Sequence, residues 1–168
     1  MIVLKHVLVP TDFGEQADEA LRYGREIARA FHASLHVIHV VDDLAARIGV
    51  GASFPEFLAN MSDTQRQIEA DGRKRLDALL GDEDRTALQA TGVSVTSTDA
   101  ARAILAYAED IGADLIVAGT HGRSAPARFL LGSVADRLVR MSKCPVLTMR
   151  TPTHGFVQPD ALVRTTAP

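Results

Sequence analysis

Three glycines and a serine define the chemistry this chain could support. Gly119 and Gly122 are separated by two residues, and after nine more come Gly132 and Ser133. Glycine has no Cβ, so backbone N–H groups beside it can approach an anion closely. A helix starting near Ser133 would add unpaired N–H donors and the positive end of its dipole. Arg123 and Arg128 lie in the intervening loop, and an arginine fork can hold phosphate through two parallel bonds. Together these residues make a phosphate cradle. Turn glycines in an ordinary βα loop, with surface arginines, are the plainer reading of the same stretch.

Such a cradle needs a strand before it and a helix after it. Leu115 to Ala118 is a continuous apolar run that reads as a buried strand breaking at Gly119. Ser133 to Met141 reads as a helix with Val134, Leu138 and Met141 inward. The rest of the chain alternates in the same way. Residues 2 to 9 form a strand buried on both faces, and Pro10-Thr11-Asp12 ends it and opens a loop. Asp12 could accept hydrogen bonds from a sugar hydroxyl or cap the helix that follows. That helix spans Glu15 to Phe31, with Ala17, Ala20, Leu21, Gly24, Ile27, Ala28 and Phe31 at helical spacing. Gly24 inside it points to a close helix-to-sheet contact.

Ser34 to Val41 is the second strand. His36 and His39 lie on opposite faces of it, which argues against a shared metal. Residues 43 to 60 carry Gly49, Gly51 and Pro55 and read as irregular chain, either a lid beside a site or a plain loop. A helix follows from Ser62 to Leu80, then one or two turns over Asp84 to Ala90. Val93 to Thr98 is a more polar strand suited to a sheet edge. Asp99 caps a helix over Ala100 to Ile111, and Pro145 to Arg150 is the last strand. Strands and helices in strict alternation imply a parallel sheet covered on both faces by right-handed crossovers. Residues 1–150 make one domain and 151–168 a C-terminal tail.

Composition narrows the class. The chain has 168 residues, 46% of them hydrophobic, and a net charge of −3. That suits one globular domain with an ordinary core. The charges are interspersed, so no basic footprint for nucleic acid is expected. No apolar run approaches the ~20 residues that span a bilayer. A single cysteine, Cys144, excludes an internal disulfide framework and reads as a small buried hydrophobe. The cytoplasm is the expected compartment.

Several segments in order carry a more specific signal. Val7 to Asp12 (VLVPTD), His39 to Asp42 (HVVD), Asp114 to Arg123 (DLIVAGTHGR) and Cys144 to Met149 (CPVLTM), with the Gly119, Gly122, Gly132-Ser133 spacing, resemble the universal stress protein family. The resemblance implies a three-layer α/β sandwich with a five-stranded parallel sheet in the order 3-2-1-4-5. Strands 1 and 4 are then neighbours, and the winding reverses between them. Ligands of such sheets bind outside the carboxyl ends of the strands at that reversal.

By analogy with the family, the ligand would be an adenine nucleotide: ATP, or AMP or ADP, with Mg2+ admitted alongside it. Its phosphates would lie on the backbone of Gly119, Thr120, His121, Gly122 and Arg123 and of Gly132, Ser133 and Val134. Ser133 would add a hydroxyl, and His121 could donate to a phosphate. The adenine edge would meet the backbone near Val40, between Pro10 and Ala118 as apolar walls. Thr11 lies beside this place, and Asp12 would contact the ribose or the purine edge.

The resemblance also implies a homodimer through the last strand, where Val146, Leu147 and Met149 could supply an apolar edge unless the tail covers it. Departures from the family pattern are Ala125-Pro126-Ala127 in the loop, Gly14 where a small hydroxyl residue is common, and the lack of a Gly-x-Pro sequence at Asp99. No Walker pattern, nucleophile elbow or metal-ligand spacing is present. The expected role is a stress-response binding and signalling module. A slow ATP hydrolase, or a member acting through protein contacts alone, are the alternatives.

Overall fold

The computed structural model describes residues 2–48, 55–120 and 132–150, with the side chains of 48 and 55–59 left aside. The loop residues His121, Gly122, Arg123 and Arg128, the helix-breaking Gly49 and Gly51, Phe54 and the tail lie outside the described residues.

The first strand, β1, runs His6–Thr11 rather than over residues 2 to 9. Ile2 and Val3 are exposed, and parallel pairing to the second strand, β2 (Ser34–Asp42), starts at His6 opposite Ser34. Apolar character alone had marked the start of β1; pairing fixes it. Pro10 lies inside β1, past the last β1–β4 pair, on a stretch with one strand neighbour. A sheet tolerates proline in that setting.

Between them lies α1, Glu15–Phe31, as its periodicity predicts. Its buried face carries Ala17, Ala20, Leu21, Gly24 and Ala28, whereas Phe31 turns outward at the helix end. A Cβ on Gly24 would sit 2.5 Å from Val9 Cγ2, so the missing side chain is what lets α1 lie down on β1.

After β2 come α2 (Leu44–Ile48) and α3 (Pro55–Leu79). The second helix begins seven residues before the expected Ser62. Pro55 marks its first turn, where a fixed φ and a missing N–H cost nothing; it does not mark irregular chain. Next are α4 (Asp82–Ala87), β3 (Thr91–Ser97), α5 (Ala100–Asp110), β4 (Leu115–Gly119), α6 (Ser133–Met141) and β5 (Val146–Met149). In α6 the buried positions are Ala135 and Leu138, and Met141 is exposed rather than inward.

The five strands form one parallel sheet in the order β3-β2-β1-β4-β5, with β3 at one edge as its polarity predicts. Two apolar layers cover it. Val7, Val9, Leu35, Val37 and Val117 pack with Ala20, Leu21, Leu76 and Leu80 on the α1/α3 side. Leu8, Ile38, Ile116 and Ala118 pack with Ile104, Ala108 and Leu138 on the α5/α6 side. Alternate strand residues supply the two layers, which is why these strands read as unbroken apolar runs.

Two charged contacts pin this frame. Arg25 of α1 grips buried Asp84 of α4 through two hydrogen bonds of 2.9 and 2.8 Å, and donates to the Leu79 carbonyl. Asp114 Oδ2 accepts the N–H groups of Lys5 and His6 at 2.6 and 2.9 Å, tying the approach to β4 to the start of β1. Burial works against the Asp114 charge, but those two N–H groups, together with the nearby charges of His6 and Lys5, hold the carboxyl below its usual range.

Candidate functional site

At the carboxyl ends of β1 and β4 the two strands part. Their register runs Val7–Leu115 and Leu8–Ile116 and goes no further. The opening is a cavity of about 250 Å³. Ten residues expected at a ligand site from the sequence line it together: Pro10, Thr11, Asp12, Val40, Ala118, Gly119, Thr120, Gly132, Ser133 and Val134. His121, Gly122 and Arg123 complete the sequence-derived set and lie outside the described residues.

Each wall follows from its local structure. The turn after β1 is tight, with the N–H of Phe13 on Thr11 Oγ1 (3.0 Å) and that of Gly14 on Asp12 Oδ1 (3.0 Å). Gly14 occupies the cap position of α1 with no side-chain bond. Asp12 therefore closes the turn two residues earlier and is not the helix cap.

Gly119 ends β4, and a Cβ there would lie 3.0–3.1 Å from Cβ and backbone atoms of Gln16. The first turn of α1 thus presses on the end of β4, so Gly119 has a packing role whatever binds beside it. Thr120 is buried; its N–H donates to the Met149 carbonyl (2.8 Å) and its hydroxyl to Gln16 Oε1 (3.0 Å). Gly132 donates its N–H to the Thr120 carbonyl at 2.6 Å, which brings the end of β4 against the start of α6. That N–H is therefore already used by the fold. The first three N–H groups of α6, at Ser133, Val134 and Ala135, precede its first intrahelical bond, from Asp136 to the Gly132 carbonyl, and Ser133 itself is exposed.

The floor was not foreseen as part of a site. Ile38, Ile104 and Leu138 line it; in sequence they carry the plain signature of core positions. A second cavity of about 380 Å³ adjoins the first and shares Val40, Ala100, Ser133 and Val134 with it. Two ion pairs border it: Arg47 Nε to Asp42 Oδ1 at 3.1 Å and Arg137 to Asp99 Oδ1 at 2.6 Å. Asp99 also accepts the Arg102 N–H (3.0 Å) and caps α5, as expected. That N–H first, and the Arg137 guanidinium second, hold its carboxyl below the usual range.

The arrangement is an apolar floor under a rim of backbone donors, with one carboxylate at the mouth. It suits a flat, partly apolar group joined to an anion. His36 and His39 lie apart on the two sheet faces, against Tyr107 and Phe13 respectively. Among the described residues no group of three or more His, Cys, Asp or Glu could hold a metal ion.

The universal stress protein family model matches residues 4–150. The chain belongs to the universal stress protein family. A universal stress protein of Methanocaldococcus jannaschii is 32% identical over 149 residues, covering 88% of this chain and 83% of that one. The solved structure of a universal stress protein from Lactobacillus plantarum has a TM-score of 0.72 at 24% identity, covering 89% of this chain and all of that one. A universal stress protein solved in complex with cAMP has a TM-score of 0.55 at 25% identity, covering 89% of this chain and 99% of that one. Within the described residues of this universal stress protein, no helix is long and apolar enough to cross a membrane.

Proposed function

We propose that this universal stress protein binds an adenine nucleotide, ATP first among them, in the cavity between β1 and β4, and acts through its bound state as a stress-response module. One observation carries the reading. Residues from four separate stretches of chain, chosen for chemistry, converge on a single cavity at the winding reversal of the sheet. The cAMP complex of a relative supports the adenine nucleotide class. In this pose the base lies over Ile38 and Val40 between Pro10 and Ala118. Asp12 takes ribose hydroxyls, and the phosphates face Ser133 and Val134 at the head of α6. Mg2+ enters as counter-ion to the phosphates.

Calorimetric titration with ATP, AMP and cAMP tests it. Saturable one-to-one binding is expected, with a loss of at least about tenfold in Gly132→Val, where a β-branched side chain crowds the helix head. Unchanged affinity in a folded Gly132→Val protein would sink the assignment. We infer further that two copies pair through β5, the outer strand of the sheet.

A further inference from the structure

The turn that carries Asp12 holds a conformation its sequence should avoid. Phe13 has φ of 61°, in the left-handed region. A bulky side chain there crowds the backbone, and glycine or asparagine is the usual occupant. Gly14, which would tolerate this conformation, stands next in the chain and is extended instead, with φ of −95°. Strain of this kind persists only where the surroundings over-determine it.

The surroundings here are explicit. The Phe13 ring lies 4.4 Å from the His39 ring, centroid to centroid, and the guanidinium carbon of Arg75 sits 4.1 Å over its face. His39 Nδ1 bonds the Thr11 carbonyl at 2.8 Å, so β2 holds the chain on the other side of Asp12 as well. A cation over an aromatic face is attracted by the ring quadrupole; here the ring is half-buried and Arg75 is exposed. Asp12 is thus bracketed. Thr11 is tied to His39, Phe13 is clamped between His39 and Arg75, and Gly14 returns its N–H to the Asp12 carboxylate.

We propose that Phe13 is a positioning residue of the ligand site: its clamped ring holds the left-handed turn that aims Asp12 into the cavity. The inference rests on the nucleotide reading above. It adds that α3, through Arg75, is coupled to a site on the other side of the sheet. The ring never touches the ligand; it keeps the competent turn populated before the ligand arrives, which saves ordering on binding.

Three variants test this: Phe13→Gly, Phe13→Tyr and Arg75→Gln, each checked for folding by thermal melting. Glycine is at ease in the turn but leaves it free to open, so Phe13→Gly should weaken ATP binding about tenfold, as when the competent state falls to a tenth of the population. Phe13→Tyr keeps the clamped ring and should bind like wild type. Arg75→Gln, which removes only the cation, should fall between them. In the ligand-free protein, the Gly14 amide should exchange faster with solvent in Phe13→Gly than in wild type. With wild type binding ATP, an unchanged Kd or unchanged Gly14 exchange in Phe13→Gly overturns the inference alone. Failure of wild type to bind brings down the nucleotide reading and this inference with it.

Discussion

At the scale of single residues, the glycines carry the most information, and they do so for different reasons. Gly24 belongs to packing. An alanine there would gain about 1 kcal/mol in helix propensity, yet its Cβ would stand 2.5 Å from a methyl of Val9. Val9 is fully buried and β-branched, so it cannot rotate away cheaply. Overpacking of this kind costs about 1–3 kcal/mol. Gly24→Ala should therefore be net destabilising, lowering Tm by about 2–4 °C for each kcal/mol lost. A thermal melt at or above wild type would mean that α1 can lift off the sheet. Gly24 was legible from sequence because a glycine interrupts an otherwise good helical stripe. The packing role of Gly119 was not. Its contact is with Gln16, 103 positions away in the chain, and no local pattern reports it.

Element boundaries were readable where both ends carried their own chemistry. Helix α1 ran as expected from Glu15 to Phe31, and Asp99 capped α5. They were misread where pairing or proline decided, as at β1 and α3. Apart from the one flagged by Gly24, contacts between elements were illegible, and one set has a measurable consequence. On the sheet face away from α3, His6 of β1, Ser34 and His36 of β2 and Tyr107 of α5 form a chain of contacts. His6 Nδ1 to Ser34 Oγ is 2.8 Å, Ser34 Oγ to His36 Nε2 is 3.4 Å, and His36 Nδ1 to Tyr107 Oη is 3.1 Å. Burial first, and His6 second, hold His36 below its usual value of about 6.5. Burial first, and the Asp110 charge second, raise Tyr107, which stays neutral throughout this range. A histidine depressed in the folded state binds fewer protons there than in the unfolded chain. Its contribution is fully present above about pH 6.5 and is lost as pH falls through the folded value. Asp114, held low, keeps its charge over the same window. Thermal melts at pH 7.5, 6.5 and 5.5 should show wild type losing stability on acidification, with a smaller loss in His36→Gln. Parallel losses in the two proteins would place the acid sensitivity elsewhere.

At the scale of the whole molecule, the sheet of the described residues ends in two edge strands, and they differ. Strand β3 pairs with β2 over seven residues, and its two ends, Thr91 and Ser97, are polar. Strand β5 is four residues long and pairs only with β4 in the described structure. Edge strands left unpaired are templates for another chain. Val146 and Met149 pack inward, so of the three residues expected to form an apolar edge only Leu147 is exposed, at 36%. Val139 and Met141 of α6 add exposed apolar surface at 50% and 58%. A two-fold axis perpendicular to the sheet would pair β5 with its copy in antiparallel fashion and bring the same surface from each side. Four backbone pairs bury little of the roughly 1,200–2,000 Å² that a stable interface needs, so side chains such as Leu147 must supply the rest. Leu147→Asp sets a carboxylate against its own copy, and like charges directly opposite are destabilising. Light scattering should give a wild-type mass of two chains and a Leu147→Asp mass of one, with the melting temperature of the variant showing that each subunit still folds. A monomeric wild type, or a dimer that ignores the substitution, would rule out pairing through β5.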